Sequence, residues 1–511
     1  MKRVFTILLS FALLLSMTTV GAVAESEGKH LEASTFWLTA DLDAAHSYTG
    51  WVCTRIGVGE TLIKLDNDVR LQPWVADSWE NVDELTWKLH IREGITFHNG
   101  KPVDAEAARA SIQYAYDNND RADTYLKLDH MEAEGQDLTI VTREPNAALI
   151  FNLVEPLFCI FDVDAEDKNN CPQGTGPYKV VGFEPQARVY LEKNENYWDG
   201  EPGLDTITVS QIADSEARAM ALQSGETEMS VTIDNTSLSL FDSEDYNVSV
   251  VIGERTNVVY MNNARPFLKD VTLRQAISWG INREAYSGII GGEPATGLFP
   301  SSLPYRGDQL SAYTFDPEKA NQILDDAGYV DTDGDGIREM DGQNIHLEYY
   351  MAASHGSSDA ELLAQAIQAD LANIGIEVEL KMAENLSDVI ASGDFDMSSD
   401  NSNTAPTGDA QYFLSVRYSS AYGGTGSDHS GNTGRYANPE LDALLEQFDV
   451  TFDAEARYDL ARDAAQLLLD DAAALYVTYV AMDTVSRSYV VGAEQPTVDY
   501  YMITKDLTIN K

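Results

Sequence analysis

Residues 103–117, VDAEAARASIQYAYD, place apolar side chains three and four positions apart behind an acidic first turn. That is the spacing of a helix with one buried face. Just before it, TWKLHI at 86–91 alternates as a strand does, with Gly94 and Asn99-Gly100 marking turns between the two. Further upstream FWLTADLD, from Phe36, reads as a strand, and 48–62 as a helix-like stretch. The triplets Gln72-Pro73-Trp74 and Asp77-Ser78-Trp79 punctuate a loop. Strands are predicted over 138–143 and 180–193, on either side of a turn-rich segment, and over 207–212. A helix is predicted over 215–224, closed by Gly225.

The second half opens with a strand at 257–262 and a helix at 270–282 whose first turn again carries an acid. A helix over 317–327 has Asp316 placed to cap it, proline at its first position and Gly328 behind it. Strand 346–350, helix 359–374 and strand 377–382 then follow in βαβ order, which predicts an α/β lobe with a parallel portion. Residues 400–438 are dominated by Ser, Thr, Asn, Gly and Asp and read as one long loop, of the kind that is functional or disordered. Helices over 439–448 and 454–473 and a strand, ALYVTYVAM, close this half. The chain shows no internal repeat of short period.

Composition changes the picture first at the N-terminus. Met1-Lys2-Arg3, the apolar run VFTILLSFALLLSM and the small-residue site Ala22-Val23-Ala24 predict a secretory signal over 1–24 and a mature chain starting near Glu25. No cysteine stands near that cut, so a lipid anchor is not expected there, and a soluble, periplasmic protein is. The rest is long enough for two or three domains at about 100–200 residues each. A hydrophobic content of 44% supports real cores, and a formal charge of −49 argues against nucleic acid as a partner. The charge otherwise describes a solvated acidic surface.

Three cysteines are present, and Cys159 and Cys171 are close enough in sequence to bridge, leaving Cys53 odd. No CxxC, HExxH, GxSxG, phosphate-loop or dinucleotide-binding pattern occurs, so zinc chemistry and the common hydrolase and nucleotide sites find no support. The stretch DTDGDGIREMDG at 331–342 has the opening of a calcium loop, with Asp331, Asp333 and Asp335 at alternate positions and Gly336 at the turn. Gly342 stands where the closing glutamate belongs. The loop reads either as a structural calcium site, completed by the Ile337 carbonyl and Glu339 or Asp341, or as a metal-free Asp/Gly turn.

Four stretches in order, TWKLHIREGITFHNGKPVDAEAARASIQYA, GTGPYKVVGFEPQARVYLEKNENYW, YMNNARPFLKDVTLRQAISWGINRE and ILDDAGYVDTDGDGIREMDG, resemble the family 5 extracytoplasmic solute-binding proteins of ABC importers. The resemblance implies an α/β fold of two lobes joined by hinge strands, with an extra subdomain in the first. It places the first lobe at 25–262 with the insert near 63–200, the second at 263–485, and a C-terminal return at 486–511. It also implies a monomeric receptor rather than an enzyme, with no cofactor, that hands a small-molecule ligand to an ABC permease.

The segments at 42–66 and 124–129 are similar to the nickel and nickel-chelate branch of that family, whose cargo would be nickel or a nickel–metallophore complex. On that resemblance Tyr125 packs on the ligand, although a core aromatic is an equal reading. Cys159 stands where some nickel receptors carry arginine, and Tyr422 near a histidine position. His429, seven residues on, is a candidate nickel ligand, imidazole being suited to that metal. Arg55, Arg417 and Arg435 are candidate carboxylate contacts or salt-bridge partners, and Trp51 either stacks on ligand or fills the core. Loss of Arg55 is expected to weaken binding at unchanged stability. The alternative is a di- or oligopeptide receptor, because TGDAQYFL at 407–414 resembles the peptide-binding segment, with Asn403, Thr407 and Asp409 as ligand contacts and Asp400 or Asp409 as partner of a peptide amino group. The tryptophan usual before that segment is missing. From another class stands a calcium-stabilised secreted hydrolase, for which no nucleophile–base pattern is found.

Overall fold

The computed structural model describes residues 28–352, 359–422 and 431–511. One mixed 11-stranded sheet runs through both α/β lobes. Two long strands, Tyr246–Met261 and Ala474–Arg487, pair antiparallel near its middle and tie the lobes together. On the first-lobe side the order continues through Met229–Val231, His30–Thr35, Thr206–Gln211, Arg188–Lys193 and Tyr178–Glu184. On the other side come Met397–Asn403, His346–Ala352 and Glu377–Ala383. The last two are parallel and joined by helix Asp359–Ala372, as the βαβ reading expected.

Each lobe buries its own apolar face. Leu31, Val52, Ile56, Leu191 and Val209 make the first core, and Val259, Ile277, Leu347, Ile367 and Leu475 the second. A separate antiparallel sheet, in the order Ala76–Asp83, Thr86–Ile91, Asp137–Thr142 and Leu128–Glu134, carries helix Ala105–Asn118. That helix starts where Asp104 accepts a hydrogen bond from the Ala107 amide at 2.9 Å. A third apolar cluster runs from this subdomain across to the second lobe, bringing Trp51, Trp87 and Tyr125 together with Phe413, Leu445 and Phe448. No helix among the described residues is long and apolar enough to cross a membrane.

Several expectations shift. The first strand is His30–Thr35, not FWLTADLD, because HLEAST finds two parallel partners. The helix-like stretch shortens to Thr49–Arg55. Gly57 takes φ +71°, and a Cβ there would sit 2.6 Å from the Ile503 carbonyl oxygen, so the chain turns away. The segment read as a loop around 72–79 supplies strands Leu71–Pro73 and Ala76–Asp83. The polar run 400–438 is not one loop: it begins in strand Met397–Asn403 and includes helix Gln411–Tyr418. All three cysteines are free; Cys171 Sγ lies 3.0 Å from the Val180 carbonyl oxygen, while Cys159 Sγ is 3.0 Å from Thr54 Oγ1.

Glu60 marks where the first lobe meets the segment carrying Trp198. The carboxylate is fully buried and accepts hydrogen bonds from Tyr197 (2.6 Å), Thr175 (2.7 Å) and the Trp198 indole (3.0 Å). Burial outweighs these donors and pushes the acid up to about 7. A raised carboxyl favours the fold while protonated, so its contribution is complete below the ordinary glutamate range and is lost as pH rises through about 7. Glu60→Gln should therefore match the wild type in stability near pH 5 and exceed it by about 2–3 kcal/mol near pH 8.5. Denaturant melts at the two pH values check this, and parallel curves for both proteins would refute it.

Candidate functional site

The lobes meet around Trp51, on the buried helix Thr49–Arg55. Its indole N–H donates to Glu155 at 2.8 Å, and its ring packs edge-on against Tyr48 and Tyr500, with centroids 6.1 and 5.0 Å away. The guanidinium groups of Arg55 and Arg255 lie 5.6 and 5.7 Å from the Trp51 ring, within cation–π reach. Arg55 is committed to Asp499, through the backbone carbonyl at 2.7 Å and an ion pair with the carboxylate. Arg255 reaches the same carboxylate and the Asn401 carbonyl, each at 3.3 Å.

Local irregularity positions this pair. The register between the two crossing strands breaks between Ile252 and Thr256, so Glu254 and Arg255 lie in a bulge. Bulges re-aim side chains that a regular ladder would alternate between faces. Here the Glu254 backbone carbonyl accepts from the Thr404 amide at 3.0 Å, and its side chain accepts from Asn403 at 2.9 Å. Burial, followed by the charge of Asp499, pushes Glu254 up to about 8. Burial works against Asp499 as well, but Arg55 and Arg255 hold its acid below the usual range.

A second contact closes the lobes from the insert side. The Tyr125 ring stacks on Tyr412 with centroids 4.0 Å apart and planes 14° from parallel. Arg121 lies beside them, 3.9 Å from the Tyr48 ring and 3.2 Å from Glu155. Lys127 bridges Glu144 (3.0 Å) and Asp449 (2.9 Å). Deeper in the second lobe Arg417 contacts Asp400 (3.2 Å) and Thr433 (3.1 Å), with its guanidinium 5.6 Å from the Tyr260 ring. Four arginines, six carboxylates and a ring of aromatics thus gather where two lobes and a C-terminal segment converge. Such a seam can hold a compact polar ligand by charge, hydrogen bonding and stacking.

Residues 70–425 match the model of the bacterial extracellular solute-binding proteins, family 5 Middle. The chain belongs to this family. Family 5 proteins are solute-binding receptors of ABC transporters, and the two-lobe architecture is theirs. The nickel-binding protein NikA of Staphylococcus aureus is 26% identical over 523 residues, covering 100% of this chain and 99% of that one. The crystal structure of a nickel ABC transporter from Bacillus halodurans is 31% identical, with a TM-score of 0.77 and coverage of 94% and 99%. The oligopeptide-binding protein AppA of Bacillus subtilis is 27% identical over 349 residues, 63% of each chain.

Within this family 5 fold the predicted residues divide. Trp51, Arg55, Tyr125 and Asn403 come together at the seam. Thr407 is buried beside it, next to Pro406, whose carbonyl accepts from Tyr500. Asp409 is a correction. Arg457 takes both its oxygens, at 2.6 and 2.7 Å, so the carboxylate is spent on holding two helical segments together. Arg435 turns away to the Ile390 carbonyl at 3.1 Å, against Gly393. Cys159 is buried beside Thr54, and burial pushes its thiol up to about 12, so it packs there as a neutral thiol. Tyr422 ends a short turn, Ser420–Tyr422, and His429 lies outside the described residues.

The ligating oxygens of Asp331, Asp333 and Asp335 come within 4.8 Å of one another, all on exposed residues. The loop's own amides already use them: Gly334 and Gly336 donate to Asp331, and Ile337 donates to Asp335. Arg121, Glu155, Glu254, Arg255, Tyr412 and Asp499 were missed by sequence reasoning. One signal was available for the crossing strand: Glu254-Arg255 is a charged pair inside YNVSVVIGERTNVVYM. Charges inside so apolar a strand mark a functional position or an ion pair.

Proposed function

We propose that this family 5 receptor captures nickel, as the ion or as a chelate with a small organic metallophore, between its two lobes and delivers it to an ABC permease. The observation that carries the reading is the seam itself. Guanidinium groups of Arg255 and Arg417 stand among aromatic faces and suit the carboxylates of a chelator. The nickel-binding names of the S. aureus and B. halodurans relatives support it. On this reading the protein works by binding alone and needs no resident cofactor.

Residues 1–24, outside the described residues, direct export, and the mature receptor acts as a monomer outside the cytoplasm. Lobe one takes 25–262 with its insert near 63–200, lobe two 263–485, and 486–511 returns to lobe one. His429 is the chain's proposed nickel ligand, the metallophore supplying the rest. The peptide reading has the AppA relative in its favour and the engagement of Asp409 by Arg457 against it. Purifying the mature protein without refolding, followed by native mass spectrometry and metal analysis, should give near-stoichiometric nickel with an organic chelator. A mixture of short peptides, with nickel absent, would sink the proposal.

A further inference from the structure

Strand Tyr246–Met261 has two neighbours along its second half and one along its first. Thr256–Tyr260 lie between Met397–Asn403 and Ala474–Arg487, whereas among the described residues Tyr246–Ile252 pair with Ala474–Arg487 alone. In an antiparallel pair alternate residues turn their N–H and C=O groups away from the partner, so the first half presents an open row of donors and acceptors. Its sequence, YNVSVVI, is rich in β-branched residues and holds no proline, lysine or arginine, the residues that blunt such edges. Tyr246, Val248 and Val250 share one face of the strand, and the two valines are 41% and 46% exposed. Beside them opens a hollow of about 560 Å³ lined by Leu238, Phe241, Tyr246 and Val248, with exposed Asp242 and Glu244 at its mouth and Asp245 next in the chain. Arg487, whose guanidinium lies 4.7 Å from the Tyr246 ring, turns to the Leu222 and Gln223 carbonyls, at 2.8 and 3.0 Å. The edge is therefore apolar along the strand and negative at its entrance.

A second copy of this chain, itself at −49, would bring the same acids against these. An extended segment of opposite charge fits both features. We propose that Tyr246–Ile252 is a docking edge for an extended, basic and apolar segment of another protein. The segment adds as a further strand, sets apolar side chains on Val248, Val250 and the hollow, and lays lysine or arginine over Asp242, Glu244 and Asp245. Strand addition takes its affinity from main-chain hydrogen bonds and its specificity from the side-chain pockets beside the edge. The edge lies outside the cargo seam and is independent of what the seam carries.

The probe is a dye-labelled peptide of alternating lysine and valine, about seven residues long, titrated into the mature protein at physiological salt and followed by fluorescence anisotropy. Its affinity should fall at least about tenfold when all its backbone amides are N-methylated, which keeps the charge and removes the strand pairing. It should fall at least about tenfold again for the unmodified peptide on the variant Val248→Lys with Val250→Lys, whose fold is checked by its melting temperature. On the wild type, bound peptide should slow hydrogen exchange at amides within 247–252. Undiminished binding of the methylated peptide would mean attraction by charge alone and would overturn the proposal. Undiminished binding to the variant, or slowed exchange confined to other segments, would place the contact off this edge and overturn it as well. So would failure of the unmodified peptide to bind, or a dimer of the mature protein in analytical ultracentrifugation that the variant lacks, since the edge would then belong to a second copy.

Discussion

Replacing Arg457 by methionine should destabilise the protein by about 3–5 kcal/mol, the range for breaking a buried ion pair from one side. Arg457 is among the most deeply buried large side chains, with 1% exposure. It binds both oxygens of Asp409, at 2.6 and 2.7 Å, and the carbonyls of Phe448 and Thr451, at 2.6 and 2.9 Å. Among the described residues, removing it takes the only cation from a buried carboxylate, which keeps the Gln411 amide as a donor, and takes a donor from two carbonyl oxygens. Replacing both partners by apolar residues of similar size, as in Asp409→Leu with Arg457→Met, should recover a large part of the loss, because no unpaired charge remains. Urea melts of the two variants decide it. A shift under about 0.5 kcal/mol for R457M, typical of surface changes, would show the pair to be dispensable. The same geometry predicts that Asp409→Asn damages stability far more than cargo affinity.

The largest functional effect is expected at Arg255. Arg55 is held by two contacts to Asp499, whereas among the described residues both polar contacts of Arg255 are long, at 3.3 Å, which leaves most of its five N–H groups for a ligand carboxylate. Arg255→Ala should weaken binding of a carboxylate-bearing nickel chelate by about 2–4 kcal/mol, roughly 30- to 1,000-fold. Arg255→Lys should restore only part of it, since the ammonium lacks the two-point fork. Calorimetry at 0.15 M salt is the measurement, and an affinity within about threefold of wild type would exclude Arg255 from the site. Arg55→Ala behaves differently from the sequence-based expectation of unchanged stability: it takes from Asp499 its closest cation and lowers melting temperature and affinity together.

The periodic elements were legible in the sequence because their side chains have one job. Helix Ala105–Asn118 and strand Thr86–Ile91 each bury one face, and their spacing says so. The segment around 400–418 was misread because its side chains bond to one another instead of to solvent. Ser402 donates to Asp400 at 2.8 Å and pairs with Tyr260 at 3.0 Å, so polar composition there disguises a strand. The site was half legible for a related reason. Trp51, Arg55 and Tyr125 sit in stretches that resemble relatives, but Arg255 and Asp499 meet across 244 residues of chain. A contact of that separation leaves no local pattern. Asp409 shows the opposite error: a carboxylate in the right stretch whose partner, Arg457, is a helix residue 48 positions away.

The place of strand Ala474–Arg487 in the sheet has a consequence for how the chain comes to be folded. Among the described residues it is the link in the sheet between Tyr246–Met261 and Met229–Val231, pairing Val248 and Ser230 alike with Val485. Until residue 485 has emerged from the ribosome, the sheet exists as two unconnected pieces, each with a raw edge. Closing it means joining points more than 200 residues apart, a slow step by loop-closure entropy. A nascent chain of this topology keeps its central sheet open until strand Ala474–Arg487 has been made.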